Sequence, residues 1–152
     1  MGIEKDIHQT RFRNAYQKAA VNIIYTLGWI RERTRGIFES ESITEQQFNI
    51  LRILRGSHPQ PLSTLQIRER MLEKMSDTSR MVDRLIAKGL VRKVVCRTDR
   101  RLVDIGITEK GRKLLERLDL RQQEIDGVLG RLTDAEANQL SDLLDKVRHG
   151  SE

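Results

Sequence analysis

Ser76, Thr78, Ser79 and Arg80 open a segment with helical apolar spacing, and Arg84 and Lys88 follow at four-residue steps. Further along, Arg97, Arg100 and Arg101 surround Asp99 in a short polar run. Hydroxyls and guanidiniums are the groups that hydrogen-bond base edges and phosphate oxygens. A helix N-terminus adds unpaired N–H groups and the positive end of the helix dipole. Asp99 is expected to hold a neighbouring guanidinium, because a carboxylate that fixes an arginine lowers the entropy lost in presenting it. Other chemistry is weakly represented. His8, His58, His149 and the single Cys96 are scattered without metal-ligand spacing. Cys96 lies beside Arg97, where positive charge favours a thiolate, but a small inert side chain at a strand end is the stronger expectation. No nucleophile–base pair, paired carboxylate site or phosphate loop stands out, which predicts a non-enzyme without cofactor or metal.

The charge is concentrated where those residues lie. The 152-residue chain carries a net charge of +6. Residues 68–113 hold 14 Lys+Arg and 7 Asp+Glu, a net of +7, so the remainder nets −1. A positive field confined to the middle third predicts a docking face for phosphates. No run approaches the length of apolar chain that spans a bilayer, and the N-terminus lacks the apolar region of a secretory signal. Gly2 is followed at position 6 by Asp, not the Ser or Thr of a myristoylation site. One cysteine fits a reducing compartment, so a cytoplasmic protein of one domain with no membrane partner is expected.

Those groups need elements to position them. From Thr10 to about Phe38, Phe12, Tyr16, Ala19, Ile23, Leu27 and Ile30 recur at three- and four-residue steps, predicting a long helix. Ala15, Ala20, Ile24 and Tyr25 widen its apolar stripe, as a helix that packs on a partner subunit requires. Thr44 with Gln47 forms a capping box for a second helix, and GSHPQP turns the chain. Ser63 with Gln66 opens a short helix to about Arg70. Ser76 is the expected cap of DTSRMVDRLIAKG, with Met81, Val82, Leu85 and Ile86 inward and Gly89 left-handed at its end. LVRKVVC and LVDIGI read as strands joined by RTDRR into a hairpin. Thr108 starts a long helix carrying Leu114, Leu115, Leu118, Ile125, Val128 and Leu129. Thr133 with Glu136 caps a last helix with Leu140, Leu143, Leu144 and Val147.

Helix, helix, short helix, turn, helix and hairpin is the order of a winged helix-turn-helix: mainly α with a small β-hairpin wing, flanked by long terminal helices. In that arrangement Ser76, Thr78, Ser79 and Arg80 face the major groove, Arg84 and Lys88 reach the phosphates, and Arg97, Arg100 and Arg101 enter the minor groove. The run RMVDRLIAKGLVRKVVCRTDRRLVDIGITEKG carries a more specific signal. Its VDRL segment, the Lys88–Val91 boundary, Asp99-Arg100-Arg101, Thr108 and Gly111 resemble the MarR family (multiple antibiotic resistance regulators) in type and spacing. The resemblance is strongest from Leu62 to Gly111 and extends over the chain in helix order and length.

That resemblance implies a homodimer built by residues 1–40 and 112–152, with a DNA-binding lobe over 44–111. It implies binding to a pseudo-palindromic operator in double-stranded DNA, usually as a repressor released by a small-molecule effector or an oxidant. Ser76 to Arg80 would form the first turns of the recognition helix, and Asp99 and Arg101 the wing pair. Asp77 and Thr78 depart from the small neutral and apolar residues more common there, so the base code does not transfer. Gly106 departs too, and a bulge is expected at it. Tyr16, Tyr25, Trp29 and Phe48 are candidates for an effector pocket, although aromatics at helical spacing more often serve core or interface. The competing reading is a winged-helix module whose basic face holds an acidic protein partner without sequence-specific DNA binding.

Overall fold

A computed structural model describes residues 2–95, 99 and 103–150 of the chain. Residues 1–36 and 37–152 form two compact units, with the boundary inside a helix. In the first unit, α1 (Ile3–Asp6) precedes α2 (Ala15–Glu39), and Glu4 pairs with Lys18. The long helix starts at Ala15, later than the apolar periodicity suggests. Asn14 Oδ1 accepts the Gln17 N–H at 2.9 Å, and Gln17 Oε1 accepts the Arg13 N–H at 2.7 Å. This reciprocal cap occupies donors that a helix continuing upstream would need.

The second unit contains the winged helix. It runs α3 (Glu45–Ser57), β1 (Leu62–Ser63), α4 (Thr64–Arg70), α5 (Thr78–Ala87), β2 (Val91–Val95), β3 (Val103–Ile107) and α6 (Glu109–Asp119). After it come α7 (Gln122–Asp126), a 3-10 turn at Gly127–Leu129, and α8 (Asp134–His149). All three expected capping boxes are present, on Thr44, Ser63 and Thr133. The strands form an antiparallel sheet in the order β1-β3-β2, with Leu62 opposite Ile105 and Arg92 opposite Gly106. Register is regular through Gly106, so the expected bulge is absent. A Cβ there would have only ordinary contacts, the nearest at 3.8 Å from Val94 Cγ2.

The core takes one face from each element. Ile50, Leu51, Leu54, Ile67, Val82, Leu85, Ile105, Ile107, Leu114, Leu115 and Leu118 are all buried together. In β3 the buried Ile105 and Ile107 alternate with outward residues, as a sheet with one covered face requires. From α6, Leu114, Leu115 and Leu118 enter this core. The expected continuous helix from Thr108 to Leu129 is divided. The chain turns at Leu120–Arg121, where the Arg121 N–H closes on the Leu118 carbonyl at 2.9 Å, three residues back, and it tightens again between Gly127 and Gly130.

The exit of α5 is closely tied down. Gly89 has φ 72°, as expected, and the Leu90 N–H reaches back to the Leu85 carbonyl at 3.0 Å. Thr108, the cap of α6, donates its hydroxyl to the Gly89 carbonyl at 2.7 Å and accepts the Gly111 N–H at 3.1 Å. A Cβ on Gly111 would lie 2.3 Å from the Leu90 carbonyl oxygen, so only glycine lets α6 start against β2.

Candidate nucleic-acid interface

The opening of α5 is set by Asp77, whose Oδ1 accepts the Arg80 N–H at 3.2 Å. The cap therefore lies one residue beyond the expected Ser76, which is half-buried in the preceding turn, its carbonyl taking the Thr78 N–H at 3.0 Å. A carboxylate at this end complements the helix dipole. From that start, Thr78, Val82 and Leu85 are buried at spacings of four and three, which turns Ser79, Arg80 and Arg84 outward together.

Two expected contact residues are engaged inside the lobe. Thr78 is only 3% exposed, and its Oγ1 has no hydrogen-bond partner among the described residues, so its hydroxyl is not presented at the surface. Its place in the buried stripe of α5 outweighs its polarity. Lys88, half-buried at the end of α5, directs its Nζ to the Ser42 carbonyl and lies 3.5 Å from Gln47 Oε1. Its ammonium thus ties α5 to the start of α3. Of the wing residues, Asp99 is half-buried; Cys96, Arg97, Arg100 and Arg101 lie outside the described residues.

Two surface concavities flank α5. One, of about 380 Å³, is lined by Thr64, Leu65 and Arg68 of α4 and by Ser76, Asp77, Thr78 and Ser79. It brings the opening of α5 together with α4, whose Leu65 and Arg68 had not been identified from the sequence. The Ser63 capping box was the available signal: it fixes the register that buries Ile67 and leaves Leu65 and Arg68 outside. The other, of about 560 Å³, lies between the Glu39–Gln47 segment and Arg84, Ala87 and Lys88.

The aromatic candidates divide between the units. Tyr16 is 84% exposed, Tyr25 is exposed, and Trp29 lies under the Arg33 guanidinium at 3.9 Å, all within the first unit. Phe48, in the second unit, packs on Phe38 with ring centroids 4.7 Å apart. Neither concavity is lined by any of these four residues.

Ion pairs join α6 to both the segment before α3 and the last turn of α3. Arg117 donates two hydrogen bonds to Glu41, at 2.9 and 2.8 Å, and Arg55 donates two to Asp119. The Arg117 hydrogen bond holds the Glu41 carboxyl below its ordinary range, against the opposing effect of burial. Arg121 similarly lowers Glu124 and also reaches Ser40 Oγ at 3.1 Å. Among the described residues, no group of three or more His, Cys, Asp or Glu is placed to hold a metal, and no helix is long and apolar enough to cross a membrane.

The MarR family profile matches residues 43–103, from the loop before α3 to the start of β3. No curated protein matches the chain. Among solved structures, a MarR transcription factor from Planctomyces limnophilus is 33% identical, with a TM-score of 0.67, over 89% of this chain and 98% of its own. A cysteine-to-serine mutant of MarR from E. coli, complexed with operator DNA, is 23% identical with a TM-score of 0.79, over 91% and 99% of the two chains. PcaV from Streptomyces coelicolor, in complex with its natural ligand, is 23% identical with a TM-score of 0.77, over 94% and 100%. The last two share the fold; the first, more than 30% identical along nearly its whole length, shows that this chain belongs to the MarR family of transcription regulators.

Proposed function

We propose that the chain is a cytoplasmic homodimer that binds a pseudo-palindromic operator sequence-specifically, represses transcription there, and is released by a small ligand. The observation that carries the reading is the coincidence of the basic middle third of the chain with the outward face of α5, where Ser79, Arg80 and Arg84 stand together. Two such helices, one per subunit, enter successive major grooves, and Arg97, Arg100 and Arg101 of each wing enter the flanking minor grooves. The operator-bound MarR of the same fold supports this use of the face.

The reading of a dimer rests on apolar side chains left exposed at both ends of the chain. In α2 these are Ile23, Ile24, Tyr25 and Leu27, and in α8 they are Leu140, Leu143 and Val147. Contiguous apolar surface of this kind is what subunit interfaces cover. The ligand-bound PcaV supports an effector, which releases DNA only by binding the released arrangement more tightly than the bound one.

Fluorescence anisotropy tests the proposal, comparing a duplex from the gene's own upstream region with a scrambled one at about 150 mM salt. Binding tighter by orders of magnitude to the upstream duplex is the expected result. Equal, weak binding to this duplex and to every fragment of a genomic selection would overturn it in favour of an acidic protein partner.

A further inference from the structure

We propose that Leu65 reads a thymine methyl group in the operator, so that α4 contributes to base recognition beside α5. The inference rests on the DNA-binding reading above. A single exposed leucine is ordinary; the placement of this one is not. Leu65 is 63% exposed and lines the same concavity of about 380 Å³ as Ser76, Asp77, Thr78 and Ser79 at the opening of α5. Arg68, one turn along α4, lines it too.

The face is therefore mixed: the Arg68 guanidinium, the Asp77 carboxylate that caps α5, the serine hydroxyls and one large aliphatic group converge on a single depression. Under the DNA-binding reading its occupant offers hydrogen-bonding groups and isolated apolar points. The major groove edge of duplex DNA meets that description, and the C5 methyl of thymine is its apolar group. The polar residues of the site cannot distinguish thymine from uracil by hydrogen bonding, since both present the same O4 acceptor; an aliphatic side chain can. Arg68, with the exposed Arg80 on α5, supplies charge complementary to the flanking phosphates.

The test uses the full-length protein and a random-sequence duplex library. Duplexes that bind more tightly than their scrambled versions are selected, and deoxyuridine then replaces thymine one position at a time, deleting only the methyl. At one thymine in each half-site the wild-type protein is expected to lose about fourfold in affinity, the effect of one buried methyl. Leu65→Ala and Leu65→Gln should bind the two forms equally, and Leu65→Met should retain the preference. The exposed position predicts unchanged melting temperatures, and the contrast between the Met and Gln variants separates a lost contact from a damaged fold. Indifference of the wild-type protein to every deoxyuridine, or an undiminished preference in Leu65→Ala and Leu65→Gln, overturns the inference and leaves the regulator reading standing. A selection that yields no preferred duplex overturns the regulator reading, and this inference with it.

Discussion

The winged lobe and α8 are made of similar materials and dispose of them oppositely. Helices α3, α4 and α8 each begin with a complete capping box, so their local start signals are alike. Yet Ile50, Leu51, Ile67, Leu85 and Leu115 have no accessible surface, whereas no residue of α8 is buried and Val147 is 76% exposed. The lobe buries one apolar face of each of α3, α5 and α6, leaving single residues such as Leu65 exposed; α8 carries an exposed stripe at 140, 143 and 147. Local signals make a helix in either case. Whether the helix is finished depends on what covers it, and for α8 the proposed cover is a second copy.

The contrast is sharpest under truncation of the lobe. Leu115→Ala should lose about 2–5 kcal/mol, the cost of a cavity in a closed core. Urea unfolding should give that loss at every protein concentration. Leu143→Asp should leave the circular dichroism of the lobe intact while weakening dimerisation at least about tenfold, because the charge would be buried unpaired. Sedimentation equilibrium measures this directly, and an unchanged dimer constant would break the comparison by removing α8 from the interface.

Two smaller effects probe the lobe alone. Thr78→Val removes a buried hydroxyl without a partner among the described residues and should raise stability by about 1 kcal/mol. A loss in thermal melts would mean that the hydroxyl is satisfied. The smallest effect concerns Glu41. Its folded pKa is lowered by Arg117, so the stabilisation is complete above the ordinary value of 4.5 and is lost as pH falls through the lowered one. Glu41→Gln should therefore flatten the acid side of a melting-temperature profile below about pH 4.5 and change little at neutrality. An identical acid slope in both proteins would show that the pair does not couple to folding.

What was legible in the sequence was short in range. The capping boxes at Thr44, Ser63 and Thr133 place both partners three residues apart, and Gly89 sits at the end of an unambiguous apolar stripe. The winged helix order followed from these and from the two β-branched runs. What escaped depended on distant partners or on competing local options. β1 is two residues long and exists only because Leu62 and Ser63 meet β3. Ser76 and Asp77 are adjacent residues that can both cap, and backbone geometry selected the aspartate. Lys88 reads as an outward cation until Ser42 and Gln47, 46 and 41 residues earlier, are folded beside it. Thr78 carries two signals, a polar group and a place in the 78, 82, 85 stripe, and burial decided between them.

The tight corner between β2 and α6 also bears on how the chain tolerates sequence drift. Any replacement of Gly111 brings a Cβ, which would meet the Leu90 carbonyl oxygen at 2.3 Å and Ile107 Cγ1 at 2.8 Å. The first obstacle is backbone and cannot rotate away. A lineage that changes this residue must also lift α6 from the strand, breaking the Thr108 hydroxyl's bond to Gly89 and the Lys110 ammonium's 2.8 Å bond to the Lys88 carbonyl. Substitutions at the exposed Ser79, Arg80 and Arg84 of α5 leave that corner untouched.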